Sequence, residues 1–351
     1  MTYIIKTDRN IVCYYYSGGR LLKRIRNERG LSAEYQLMNG VRPSFSLSLT
    51  EKGESCIFCR DLKGNVILIK EGQEGITRRV LLENTGNDFK GTILFDAAIR
   101  ESEIELLYNT PSKNGAYNLY IQKLSEKTRP PHLIDGAYPL NNSVFRTVNV
   151  NSRLRLVFYL KRQGENKLGY REILDDSEGL FNTVFSSSLP FGDYSTAAGE
   201  RGLYFAAVTN TFFSSRLYFR TRGNEGFSDV KAAAEMSNIT KPLVFVFNGK
   251  PILFFKAGDK PYMAYDTSIP KPFKGKICPE LSRGSFIDKT EKGRIKASEV
   301  LVDSNKPWDI QLYPEIDENF YGFGSKTEER RKPRGEYSFK DLFSEKGSVT
   351  L

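Results

Sequence analysis

An all-β fold made of repeated four-stranded units is the architecture this sequence predicts, on three observations. Aromatic residues weigh heavily, with 24 Phe and 19 Tyr among 351 residues, and pleated, half-buried surfaces select such residues. Short strand-like segments recur along the chain, separated by Gly, Asn and Lys turn residues, which is the signature of a strand repeat. Hardly any segment carries the 3.6-residue period of a helix.

The second strand of each unit is the easiest to see. It reads NIVCYYYS (10–17), ESCIFCRD (54–61), EIELLYNT (103–110), RLRLVFYLKR (153–162), RGLYFAAVTN (201–210) and KPILFFKAG (250–258). A third strand follows each across a turn: RLLKRIRN (20–27), NVILIKEG (65–72), YNLYIQKL (117–124), KLGYREIL (167–174), SRLYFRTRG (215–223) and KPYMAYDT (260–267). Gly18-Gly19, Lys63-Gly64-Asn65 and Asn114-Gly115 supply residues that tolerate the positive φ of tight hairpins. Preceding strands are expected at 44–50, 91–99, 143–150, 193–199 and 242–248, and a more variable fourth strand is clearest as ITRRVLLEN (76–84). The innermost strands are small or uniformly apolar, as at Thr196 to Gly199 and Leu243 to Phe247.

Four antiparallel strands per unit form a blade that cannot bury both faces alone, so blades stack in a ring. The expectation is a single β-propeller of six or seven four-stranded blades over residues 1–316, closed where the N- and C-terminal segments meet. Residues 286–316 complete the first blade or form a degenerate seventh. A pair of stacked β-sandwiches would also show short, regularly spaced strands, but a repeat of whole four-strand units favours the ring.

The chain resembles bacterial-type β-propeller repeat proteins. Its hairpins CYYYSGGRLLKRI and CIFCRDLKGNVILIKEG are similar to the strand-turn-strand core of sugar-binding propellers of the fucose-lectin class. The recurring outer-strand Trp of those lectins is absent, since Trp308 is the only tryptophan. The resemblance therefore implies a fold and does not carry sugar sites over.

Much catalytic hardware is missing. The one histidine, His132 in RPPHLIDGAYP, is expected in a surface loop and would have to support any His-dependent hydrolysis by itself. Cys56 and Cys59 form a C-x-x-C, but residues three apart on a strand face opposite ways, and Cys13 and Cys278 are isolated. Reduced, buried thiols and no metal site follow. No phosphate-binding glycine motif is present, so no cofactor is expected. Among the acidic groups, Glu101, Glu103 and Glu105 or Asp175 and Asp176 are candidate paired carboxylates, with Glu103 and Glu105 expected on the solvated side of a strand. The opening MTYIIKTDRN lacks a basic stretch followed by an apolar one, and no segment is long and apolar enough to span a bilayer, so the expected address is cytoplasmic.

The net charge of +10 is unevenly placed. Residues 1–40 hold seven Lys/Arg against three acids, giving +4, and residues 237–285 hold eight against three, giving +5. Ring closure would bring these segments to either side of one seam. Candidate binding residues there are Arg20, Arg24, Arg26 and Tyr15, with Lys250, Lys256, Lys260, Lys271, Lys274 and Lys276. A basic surface with aromatic neighbours suits an acidic protein or anionic polymer. From residue 317 the chain changes character, and 317–351 reads as a C-terminal extension, partly disordered or docked on the ring by Tyr337, Phe339, Leu342 and Phe343. The functional expectation is a non-catalytic interaction platform. The alternatives are a lectin-like propeller that binds glycans, and a glycan hydrolase or lyase.

Overall fold

A computed structural model describes residues 2–312, except 8, 28, 51–52, 73–74, 85–94, 101–102, 125–129, 142, 151–153, 175–176, 200, 248, 266–268, 274–279, 289–294 and 297–298. The proposed extension, including Tyr337, Phe339, Leu342 and Phe343, lies outside the described residues, as do Lys274, Lys276, Cys278, Glu101, Asp175 and Asp176.

The described chain is all β, with no α-helix and six hydrogen-bonded sheets. Each follows the last along the sequence as an antiparallel meander. The second sheet, for example, runs Val41–Leu49, Ser55–Asp61, Val66–Gly72 and Gly75–Leu82. The third runs Phe95–Arg100, Glu103–Pro111, Tyr117–Leu124 and His132–Ala137. The fourth, fifth and sixth open on Phe145–Asn149, Phe191–Gly199 and Ile239–Phe247. Sequence and structure agree closely on second and third strands; Arg20–Asn27, Tyr117–Leu124 and Ser215–Gly223 match to the residue. Turn chemistry explains the hairpins. Gly18 and Gly19 both have positive φ, +56° and +76°, in the two-residue turn joining Ile11–Ser17 to Arg20–Asn27, a geometry closed to most side chains.

The first sheet has a feature of its own. Its opening strand Thr2–Lys6 pairs antiparallel with Ile11–Ser17 on one edge and parallel with Leu281–Asp288 on the other. Glu299–Asp303 and Ile310–Leu312 continue that sheet beyond Leu281–Asp288. N- and C-terminal segments therefore share one eight-stranded sheet.

Among the described residues seven apolar clusters hold the fold together, six spanning neighbouring sheets and one lying within the first. The second strands explain how. Residues alternate between the two faces of a strand, yet these strands are buried almost throughout, because each face feeds a different cluster. Ile57 and Cys59 pack toward the first sheet with Tyr14 and Phe45, while Cys56 and Phe58 pack toward the third with Phe95 and Leu106. Val157 and Tyr159 join Leu107 and Leu119 of the third sheet, and Phe158 joins Phe205 of the fifth. Phe219 meets Val244 and Phe255 of the sixth sheet, whose Phe245 and Phe254 face Leu281 and Leu301. The seventh cluster joins Phe286, Val300 and Val302 to Ile4, Cys13 and Tyr15 of the first sheet. Each fully buried side chain of this size contributes about 1.5–3 kcal/mol.

Two expectations need correcting. Glu105 does not lie on a solvated face; it is buried because Arg155 of the fourth sheet, itself 1% exposed, reaches across to within 3.1 Å of its carboxylate. His132 is exposed as expected, but it begins a strand instead of sitting in a loop. The C-x-x-C thiols diverge into separate clusters as the strand period requires.

Candidate functional site: a charged cavity at the heads of the first strands

The first strands of the third, fourth, fifth and sixth sheets converge at their opening residues, together with Thr2–Lys6 and Leu281–Asp288. Their opening residues line a cavity of about 950 Å³. Thr2 and Tyr3, Phe95 and Asp96, Phe145 to Thr147, Gly192 and Asp193, Ile239 to Lys241, and Ser282 to Ser285 form its wall, joined by Glu299 and by the loop 210–215. Bulges aim some of these side chains. The register slips between Phe191 and Asp193 and between Thr240 and Leu243, and a bulge turns a strand locally and redirects what it carries.

Four charges interlock on this wall. Arg146 lies 3.0 Å from one oxygen of Asp193, and Arg283 lies 2.9 Å from the other. Glu299 bridges the same two arginines, 3.5 Å from Arg146 and 2.9 Å from Arg283. Ser195 Oγ donates to Glu299 at 2.9 Å and accepts from the Val244 amide at 3.1 Å. The Arg146 guanidinium also lies 4.2 Å from the centroid of the Tyr194 ring. Burial works against the charge on Asp193, but Arg283 and Arg146 outweigh it and hold the carboxyl at about 2.

Asp96, on the wall formed by the third sheet, is also taken up. Ser46, Thr147 and Arg155 all donate to its carboxylate. Burial opposes its charge, yet Arg155 and these hydroxyls bring its pKa below the ordinary carboxylate value. Asp96 and Asp193 are thereby held as carboxylates and are not poised to carry a proton near neutral pH. The lysine of this wall differs. Lys241 makes no side-chain hydrogen bond or close ion pair among the described residues, and burial together with nearby Arg283 pushes its pKa down against the pull of Asp193.

The loop 210–215 adds an apolar element. Thr211 Oγ1 accepts from the amides of Phe213 and Ser214 at 3.3 and 2.9 Å, and the Thr211 amide donates to the Ser214 carbonyl at 2.8 Å. This tied turn holds Phe212 and Phe213 outward, 93% and 87% exposed, with ring centroids 5.0 Å apart in an edge-to-face pair. Behind it, Asn210 is anchored by Ser215 Oγ at 2.9 Å. A Cβ on Gly192 would stand 2.5 Å from the Asn210 amide nitrogen, so glycine makes room for that side chain.

None of the sequence-predicted binding residues that lie among the described residues lines this cavity. Arg24 lies 4.0 Å from the centroid of the Trp308 ring and 3.6 Å from Glu34, and its Nε donates to Tyr15 Oη at 3.2 Å. Tyr15 is buried at the junction of the first sheet with the C-terminal strands, Arg20 is exposed and Arg26 half-buried. In the sixth sheet Lys250, Lys260 and Lys271 are exposed and Lys256 is buried. Lys250 pairs with Phe247 and Lys260 with Ala257, so these two stand at opposite ends of their hairpins. Sequence reasoning missed Arg146, Asp193, Lys241, Arg283 and Glu299. A charged residue near the head of an otherwise apolar first strand, as in FRTVN, FGDYSTAAG and ITKPLVFVF, was the available signal.

No family model matches the chain, and no curated protein matches it. Solved structures do. The fucose-specific lectin from Aleuria aurantia is 10% identical with a TM-score of 0.48, the match covering 77% of this chain and 93% of that one. Another structure of that lectin is described as a six-bladed β-propeller. SapL1 lectin, in complex with α-methyl fucoside, is 8% identical with a TM-score of 0.44, over 76% of this chain and 95% of that chain. TolB from Acinetobacter baumannii is 13% identical with a TM-score of 0.41, over 75% of this chain and 63% of that chain.

Proposed function

We propose that the chain is a closed β-propeller of seven blade-like units, the last formed by the C-terminal strands, and that it binds carbohydrate without catalysis in the cavity at the strand heads. Supporting the ring are the seven apolar clusters, which run from unit to unit and end by joining the C-terminal strands to the first sheet. Supporting the absence of catalysis is the pairing of every wall carboxylate with arginine.

The observation that carries the sugar reading is the Phe212–Phe213 pair, held in water beside a wall of hydroxyl and amide groups. A sugar ring has an apolar C–H face and a polar rim. It covers exposed aromatic rings with the first and meets the side-chain amides of Asn210 and Asn238 with the second, as small-molecule sites combine apolar walls with a few placed polar groups. A printed saccharide array followed by calorimetric titration tests this. The expected result is binding of a subset of saccharides, weakened tenfold or more in a Phe212→Ala/Phe213→Ala double variant. Wild-type protein that binds no saccharide, or a double variant that binds as well as wild type, would overturn it.

A further inference from the structure

We infer that the saccharide taken by this cavity carries one negative charge, as a hexuronate carboxylate or a sulfate monoester, and that Lys241 is the residue that recognises it; the inference rests on the carbohydrate reading above.

Two independent observations lead there. The first is the pairing on the wall. Asp96, Asp193 and Glu299 are each occupied by an arginine and by hydroxyl or amide donors. Arg146 and Arg283 spend their guanidinium forks on those same carboxylates. Lys241, half-buried on the same wall, has no such partner among the described residues. The acid that acts on it, Asp193, is already held by both arginines, so a ligand anion is the group left to pair with this half-desolvated ammonium. One ammonium with both neighbouring forks engaged suits a single negative charge; a phosphate dianion would call for an open fork.

The second observation is the backbone. Lys241 has φ +53° and lies between Thr240 and Leu243, where two residues of the first strand oppose one of the second. A left-handed conformation is unfavourable for lysine, more so directly before a proline, here Pro242. Such strain persists where surrounding structure over-determines it, and it clusters at ligand sites. The surroundings here are the charge network itself, because Arg283 donates to the Pro242 carbonyl while it holds Asp193 and Glu299. The bulge is thereby fixed to the arginines, and the lysine it carries is presented to the cavity.

The test compares each acidic sugar with its own neutral form. Oligogalacturonides and their methyl esters, and galactose oligosaccharides with and without 6-O-sulfate, are titrated into the full chain at constant ionic strength. Wild type, Lys241→Gln, Lys241→Arg and Phe212→Ala/Phe213→Ala are measured, with melting temperatures as the folding control. At least tenfold preference for a charged form is expected in wild type, lost in Lys241→Gln and kept in Lys241→Arg. Preference for the carboxylate over the sulfate, or the reverse, identifies which anion the site takes. Equal binding of charged and neutral forms, or a preference that survives Lys241→Gln, overturns the inference. If neutral sugars bind and the phenylalanine variant loses them, the carbohydrate reading stands without it. If no saccharide binds at all, both fall.

Discussion

The molecule buries two ionic clusters in comparable places and uses them differently. In one, Arg155 reaches from the fourth sheet to Asp96 and Glu105 of the third, with Arg155 and Glu105 almost wholly removed from water. In the other, Arg146 and Arg283 clasp Asp193 and Glu299 on the cavity wall. The first has two acids to one base and leaves Glu105 Oε2 and Arg155 Nε without partners among the described residues. The second balances charge for charge. The first is a staple between sheets that meets the cavity through Asp96 alone, whereas the second, balanced and set in the cavity wall, can hold its shape while a ligand comes and goes.

Removing each arginine separates the two roles. Arg155→Met leaves two buried acids facing each other, and the expected loss is about 3–5 kcal/mol of unfolding free energy by denaturant titration. Arg283→Met should cost less, about 1–3 kcal/mol, because cavity water reaches the carboxylates it abandons. Equal losses would erase the distinction.

Acid tests the open cluster. The Asp193 carboxyl is held at about 2 against an ordinary 3.8, so its contribution is fully present above pH 4 and is lost as pH falls through 2. This amounts to on the order of 2 kcal/mol. Thermal melts between pH 5 and pH 2 should show the decline in wild type, and Asp193→Asn should show less of it. The smallest stability change is expected at the cavity rim. Phe212→Ala and Phe213→Ala should shift unfolding free energy by no more than about 0.5 kcal/mol, since both rings already stand in water, even as saccharide affinity falls. A large loss of stability there would make the pair structural.

Much of the fold was legible because strand periodicity and turn chemistry are local. Gly18-Gly19 announced its hairpin, and the run NIVCYYYS announced the strand that leads into it. What escaped depended on distance in sequence. Nothing near Glu105 signals that Arg155 will cover it. Asp96, Arg146, Asp193, Lys241 and Arg283 read as isolated charges until the strand heads converge. Of the basic residues chosen from charge density, Arg24 and Arg26 are half-buried and Lys256 is buried, while Arg20, Lys250, Lys260 and Lys271 face solvent, because a tally of charge cannot tell a cation facing solvent from one packed into the fold.

The parallel pairing of Thr2–Lys6 with Leu281–Asp288 has a consequence in time. In a chain emerging from its N-terminus, the first strand finds its antiparallel neighbour at once and then waits for almost the whole sequence before its other edge is covered. Contacts of such long separation form late, and an unpaired strand edge invites the wrong partner meanwhile. Assembly of this protein is thus a race between the arrival of residues 281–288 and the association of open edges. A permuted chain whose new ends fall between other sheets would let Leu281–Asp288 and Thr2–Lys6 be made close together and shorten that wait.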